Sequence, residues 1–185
     1  MASLNILGIC GSLRKGSYNR MALNAAVEMV PDGVTIESFD IAPIQPYNED
    51  IYKKGFPPAV QDFRSRIAAA DAILFVTPEY NYSIPGVLKN AIDWASRPPD
   101  QPFDGKPGAI MGASPGRYGT ARSQYHLRQV CVTLNIRLLN TPEVMIAGAD
   151  KKFDKDGRLT DDDTRKFIGK LLVALAEWTR RLQPR

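Results

Sequence analysis

Five consecutive apolar residues, Ala72-Ile73-Leu74-Phe75-Val76, run into Thr77-Pro78 without a polar break. The run is too short for a helix and rich in β-branched and aromatic side chains, which makes it a strand buried on both faces. Pro78 cannot donate to a sheet ladder, so the strand ends there. A short polar and aromatic loop follows, Glu79-Tyr80-Asn81-Tyr82-Ser83, and Pro85 then stands at the first position of a helix. Val87, Leu88, Ala91, Ile92 and Ala95 recur at helical spacing and give that helix an apolar face. The unit is strand, aromatic loop, helix. In an open parallel sheet such a loop lies at the carboxyl edge of the strands, where ligands bind.

The rest of the chain repeats this alternation. Leu4 to Cys10 is a first strand, followed by a Gly/Ser-rich loop and a helix from about Asn19 to Val30. Val34 to Phe39 alternates as a second strand, and Asp40 to Phe56 is a long connection around Tyr47-Asn48-Glu49-Asp50. A helix beginning near Pro57-Pro58 sets Val60, Phe63 and Ile67 on one face. Gly108 to Ala113 is a fourth strand, Thr120 to Thr133 a helix, and Ile136 to Leu139 a short fifth strand. An acidic turn, Asp150 to Asp163, leads to a last amphipathic helix, Arg165 to Leu182. Strands alternating with helices mean a parallel sheet covered on both faces. Five strands with no Gly-x-Gly-x-x-Gly fingerprint favour a flavodoxin-like doubly wound α/β sheet of order 2-1-3-4-5, in one domain spanning 1–185.

That topology brings the loops after strands one, three and four to one edge. The first, Gly11-Ser12-Leu13-Arg14-Lys15-Gly16-Ser17, joins a strand to a helix N-terminus, where free N–H groups and the helix dipole favour an anion. Ser12, Ser17 and Asn19 add neutral donors, and Arg14 adds a fork suited to phosphate. Gly11 and Gly16 mimic the spacing of an ATP-binding loop, but Ser17 stands where its lysine belongs, so an ATPase is disfavoured. The second loop, Pro78-Glu79-Tyr80-Asn81-Tyr82, offers backbone N–H groups to the edge of a flat heterocycle and an aromatic to flank its face. Taken alone, its tyrosines would serve as well to cover the sheet edge. Next to a phosphate cradle, the ring-binding reading is favoured.

Other signals point elsewhere and fail on chemistry. Gly112-Ala113-Ser114-Pro115-Gly116 has the spacing of a nucleophile elbow, but the oxyanion hole needs the N–H that Pro115 lacks. Ser114 then either hydrogen-bonds the ring or caps a turn. Asp154-Lys155-Asp156-Gly157 resembles a calcium loop, but Lys152 stands at the first ligand position and Asp163 where glutamate is required. One histidine and two distant cysteines make a poor transition-metal site. Cys10 and Cys131 read as buried hydrophobes, which with the absence of a leader pattern implies the cytoplasm. No run approaches the roughly 20 apolar residues of a membrane span. The net charge of +4 is scattered apart from Arg180 to Arg185, with no basic aromatic stripe for nucleic acid. The excess charge instead suits small anionic ligands.

Gly11-Ser12-Leu13-Arg14 with Ser17-x-Asn19, and Pro78-Glu79-Tyr80-Asn81 with Pro85-Gly86-x-Leu88-Lys89-Asn90-Ala91-Ile92-Asp93, together resemble the NADPH-dependent FMN reductase family, whose bacterial members include quinone and chromate reductases. The similarity extends through Gly119, Gln124-Tyr125-His126-Leu127-Arg128-Gln129 and Pro142-Glu143. It implies non-covalent FMN, with its phosphate at Ser12, Arg14, Ser17 and Asn19 and its ring at Pro78, Glu79, Tyr80, Asn81, Tyr82 and Ser114. It further implies homodimers or homotetramers, and NADPH or NADH as the substrate that reduces quinones, with chromate and free flavin as further acceptors. Relatives often carry a Gly-Gly pair where this chain has Gly119-Thr120. No protein nucleophile is required, because the flavin carries the hydride chemistry. An electron carrier or a redox-sensing flavoprotein would share the fold. Arg97 closes its helix roughly 18 Å from the ligand edge, beyond reach of its own subunit's flavin. It is either a cation capping the helix C-terminus or a group reaching across a subunit boundary toward an anionic part of NAD(P)H or the acceptor.

Overall fold

Strands Leu4–Cys10 (β1), Val34–Phe39 (β2), Ala72–Val76 (β3), Pro107–Ala113 (β4), Arg137–Leu138 (β5) and Val144–Ile146 (β6) form one sheet in the computed structural model, which describes residues 3–183. The order is β2-β1-β3-β4-β5, and every pairing is parallel. This is the flavodoxin-like arrangement read from the alternation of elements. The fifth position differs in detail, because two short strands share it. β5 pairs with β4 at Pro107 and Gly108, while β6 pairs with Met111, Gly112 and Ala113.

Helices Tyr18–Glu28 (α1), Glu49–Tyr52 (α2), Pro58–Ala69 (α3), Gly86–Ala95 (α4), Ala121–Thr133 (α5) and Asp162–Leu182 (α6) complete the element order. Strand residues alternate between the two sheet faces and so feed two cores. Ile6, Cys10, Leu74, Val76, Ala109 and Met111 pack with α1 and α6 through Leu23, Ile168 and Leu172. Leu7, Ile9, Ile73, Phe75 and Ile110 pack on the other face with α3, α4 and α5 through Phe63, Leu88, Ile92 and Leu127. Val60, Phe63 and Ile67 lie fully inside, as their spacing requires. Val87 departs from the expected apolar face of α4 and is exposed, because the helix turns Leu88, Ala91, Ile92 and Ala95 inward and leaves residue 87 outside that stripe.

The long connection after β2 is more ordered than its prolines suggest. It contains the four-residue helix α2, capped by the Asn48 side chain, and is pinned to α4 where Asn90 and Trp94 both donate to Gln45 O. α6 begins earlier than expected because the Asp161 side chain caps it. The calcium-like turn is instead a self-contained loop in which Asp154 Oδ1 accepts from the N–H groups of Asp156 and Arg158, each at 2.9 Å. Among the described residues no acidic, histidine or cysteine group is arranged to hold a metal, and no helix is long and apolar enough to cross a membrane. Of the basic C-terminal run, Pro184 and Arg185 lie outside the described residues.

Candidate active site

The first loop leaves β1 at Gly11, whose N–H donates to Val76 O at 2.9 Å. A β-carbon here would come within 3.1 Å of Leu88, 3.2 Å of Pro85 and 3.3 Å of Pro78, so any side chain would force these neighbours back by a few tenths of an ångström where this loop lies against the second one. Ser12 Oγ accepts from Arg14 N–H at 3.4 Å, and Ser17 Oγ accepts from Arg20 N–H at 3.3 Å as the N-cap of α1. Each hydroxyl oxygen is thus engaged by the backbone, and each hydroxyl proton stays free to donate to an anion. The first turn of α1 adds N–H groups with no intrahelical partner and the positive end of its dipole. Both serines are buried, while Arg14 leans toward the Tyr18 ring at 5.8 Å.

The second loop is fixed by its own carboxylate. Glu79 Oε2 accepts from the N–H groups of Arg122 and Ser123, at 3.1 and 3.3 Å, at the start of α5, and its Oε1 pairs with the Arg122 guanidinium. Pro78 O accepts in addition from Ser123 Oγ and Thr77 Oγ1, each at 2.9 Å. The side chain of Glu79 is therefore spent on α5. Pro78, Glu79 and Tyr80 all line the cleft. Asn81 and Tyr82 take left-handed φ values of 49° and 67° in a two-residue turn closed by Tyr80 and Ser83. That turn carries Tyr82 outward, 67% exposed, with Arg122 over its ring at 3.6 Å.

In the third loop Ser114 N–H donates to Ile146 O, and Ser114 Oγ accepts from Gly116 N–H at 3.1 Å. The Ser114 hydroxyl thus caps a turn, one of its two anticipated uses, and the residue lines the cleft. Gly119 and Thr120 are both left-handed, with φ of 51° and 72°. That geometry explains why a glycine pair suits this site; Thr120 tolerates it with its side chain buried and its Oγ1 accepting from Gln124 Nε2 at 3.1 Å. The only histidine turns away from Ser114, with His126 Nδ1 3.1 Å from Ser83 Oγ, so no triad forms.

The three loops border a cleft of about 120 Å³ lined by Ser12, Arg14, Ser17, Tyr18, Asn19, Pro78, Glu79, Tyr80 and Ala113 to Pro115. Cys10 sits beneath the first loop, its thiol donating to Ser12 O at 3.6 Å, and burial raises its pKa so that it stays protonated. Burial likewise pushes Cys131 up to about 12, so neither cysteine is a nucleophile.

The sequence profile of the NADPH-dependent FMN reductases matches residues 4–151, which carry all three loops. The chain belongs to this family. It is 62% identical over 180 residues to the NAD(P)H-dependent FMN reductase of Pseudomonas aeruginosa, covering 97% of each chain. Identity to the NAD(P)H:quinone oxidoreductase of Solanum tuberosum is 48% over 186 residues, covering 97% of this chain and 95% of the other. The flavoenzyme NAD(P)H:(acceptor) oxidoreductase of Paracoccus denitrificans shares the fold with a TM-score of 0.88 at 34% identity, covering 96% and 98% of the two chains.

Within the family's loops, the structure brings together Ser12, Arg14, Ser17, Asn19, Pro78, Glu79, Tyr80 and Ser114, and leaves Asn81 and Tyr82 outside the lining. Tyr18, Ala113 and Pro115 line the cleft and were not anticipated, although each adjoins a residue that was. Arg97 lies just beyond the C-terminal end of α4, after its cap Ser96. Its Nε donates to Asp93 O at 3.1 Å and its guanidinium lies 5.6 Å from the Tyr47 ring, the contacts of a C-terminal helix cation.

Proposed function

We propose that this chain is an FMN-dependent NAD(P)H:acceptor oxidoreductase that reduces quinones and other small oxidants, chromate and free flavin included. The observation that carries the reading is the convergence of an anion cradle on the first loop with the Pro78–Tyr80 and Ser114 walls in one cleft. The residues fit the cofactor on chemical grounds. Two serine hydroxyls with free protons, Arg14 and the N-terminus of α1 suit a single terminal phosphate. The relatives named for FMN reduction and quinone reduction support the same reaction.

Bound FMN would supply the hydride chemistry, and the protein's part is to hold, orient and enclose it. Ser12, Arg14 and Ser17 would hold the phosphate end, and Pro78 to Tyr80 with Ser114 would flank the ring end. With no separate dinucleotide fingerprint in the sequence, the nicotinamide and the acceptor take turns in the same space, which gives ping-pong turnover. A cytoplasmic setting and a dimeric or tetrameric assembly belong to this proposal, the former supported by two free, buried cysteines.

Purified protein should be yellow, and the flavin released from it should be FMN. Arg14→Ala should weaken FMN binding about ten- to a hundredfold, the worth of one charge-assisted hydrogen bond, with folding little changed. A protein that cannot be loaded with FMN overturns the reading. Parallel double-reciprocal lines for NAD(P)H and quinone are expected, whereas intersecting lines would exclude a shared space. Sustained turnover with quinone also separates an enzyme from a slow redox sensor or electron carrier.

A further inference from the structure

Asn19 was expected to hold phosphate, yet its side chain is occupied elsewhere. Its Nδ2 donates to Ala113 O and its Oδ1 accepts from Ala113 N–H, both at 2.8 Å, and the residue is 3% exposed. These bonds join the first turn of α1 to the last residue of β4, 94 positions away.

The local reason lies in the sheet. Met111 O accepts from Thr77 N–H at 3.0 Å, so Met111 faces β3. Two residues on, Ala113 presents its N–H and C=O to the same side. There β3 has already ended, and Pro78, which the parallel register would bring opposite, has no N–H to give. The primary amide of Asn19 offers one donor and one acceptor at the spacing of a peptide group and takes the place of the missing strand residue. The residue after Ala113 is Ser114, a wall of the cleft, and two residues before Asn19 is Ser17, part of the anion cradle.

We propose that Asn19 is a positioning residue that ties the first loop to the third, and so sets the separation between the phosphate end and the ring end of the cleft. The proposal rests on reading the cleft as the FMN seat. Asn19 itself supplies no essential phosphate contact; it holds Ser17 and Ser114 in register.

The test compares FMN with riboflavin, which has the ring but no phosphate. Asn19→Leu keeps the approximate size and removes both hydrogen bonds, and Asn19→Ser is a milder variant. Affinities for both flavins are measured by quenching of flavin fluorescence. A positioning role predicts that both weaken together, by about tenfold or more. If only FMN weakens, Asn19 is a direct phosphate ligand and the proposal fails. Unchanged affinity for both flavins, with a lowered melting temperature, makes it purely structural and also overturns the proposal. Wild-type protein that binds neither flavin rejects the FMN reading itself, a separate failure. Should neither variant fold, hydrogen exchange on the wild type decides. The Ala113 amide should be protected before flavin is added, to the level of the β4 interior. Rapid exchange relieved only by FMN would show that no brace exists beforehand.

Discussion

The Thr120 hydroxyl fills the space above Gly112: a β-carbon on residue 112 would come within 2.1 Å of Thr120 Oγ1 and 2.3 Å of Thr77 O. The glycine that gives this segment its nucleophile-elbow spacing is thus a packing requirement where the third loop folds over β4. Gly112→Ala should destabilise the fold by roughly 3 kcal/mol, at the upper end for overpacking, because the Thr77 carbonyl belongs to the backbone and cannot swing aside. Urea denaturation measures this. Adding Thr120→Gly should recover only part of the loss, and full recovery would show that the carbonyl contact is harmless.

Among the described residues Arg64 has no carboxylate partner. Its guanidinium donates to the carbonyls of Ala95, Arg97, Pro99 and Asp100 and lies 4.1 Å from the Phe56 ring, so the charge is met by the C-terminal end of α4. Arg64→Lys should lower stability by about 1.5–3 kcal/mol, since a single ammonium cannot reach four acceptors set out for a planar fork. FMN affinity should hold, because these contacts lie at the end of α4 remote from the cleft. A variant with wild-type stability would mean that water replaces the guanidinium without loss.

For Arg97 the two readings remain separable by kinetics. Its bonds to Asp93 O and Ser96 Oγ are those of a cation on a helix C-terminus. If that is its whole role, Arg97→Ala should lose about 0.3–1 kcal/mol of stability and leave KM unaltered. A raised KM for NAD(P)H or anionic acceptors, with FMN content and Tm unchanged, would assign it to a neighbouring subunit's cleft.

Asp161 makes the start of α6 sensitive to acid. Its carboxylate accepts from the Thr164 hydroxyl and from Thr164 N–H and pairs with Lys152 at 3.3 Å, and the hydrogen bonds from Thr164 hold its pKa below the usual carboxylate range. A folded-state pKa below the unfolded one means stabilisation that is full above the ordinary aspartate pKa and disappears as pH falls through the lowered value. Asp161→Ala should therefore melt below wild type at neutral pH, and the gap should close in strong acid. A gap that stays constant with pH would indicate that the cap acts through shape alone.

The strands β1, β2 and β3 and the inward faces of α3 and α4 were legible from sequence because burial imposes a period, and a period is local information. That Ser12, Arg14 and Ser17 stand together at the sheet edge was legible for the same reason, since a strand, a short polar loop and a helix N-terminus are consecutive in the chain. What only the tertiary structure decided are the long-range partners of polar side chains. Nothing near Asn19 announces Ala113, and nothing near Glu79 announces the N–H groups of Arg122 and Ser123. Each side chain could have faced a ligand, and which acceptor or donor it met depended on where β3 stopped relative to β4. β6 escaped notice because three residues are too few to show an alternation, and its identity as a strand comes from the edge that β4 offers it. Local periodicity therefore fixed the scaffold. Which polar side chains of these loops spend their hydrogen bonds on distant backbone was decided by contacts between segments far apart in the chain.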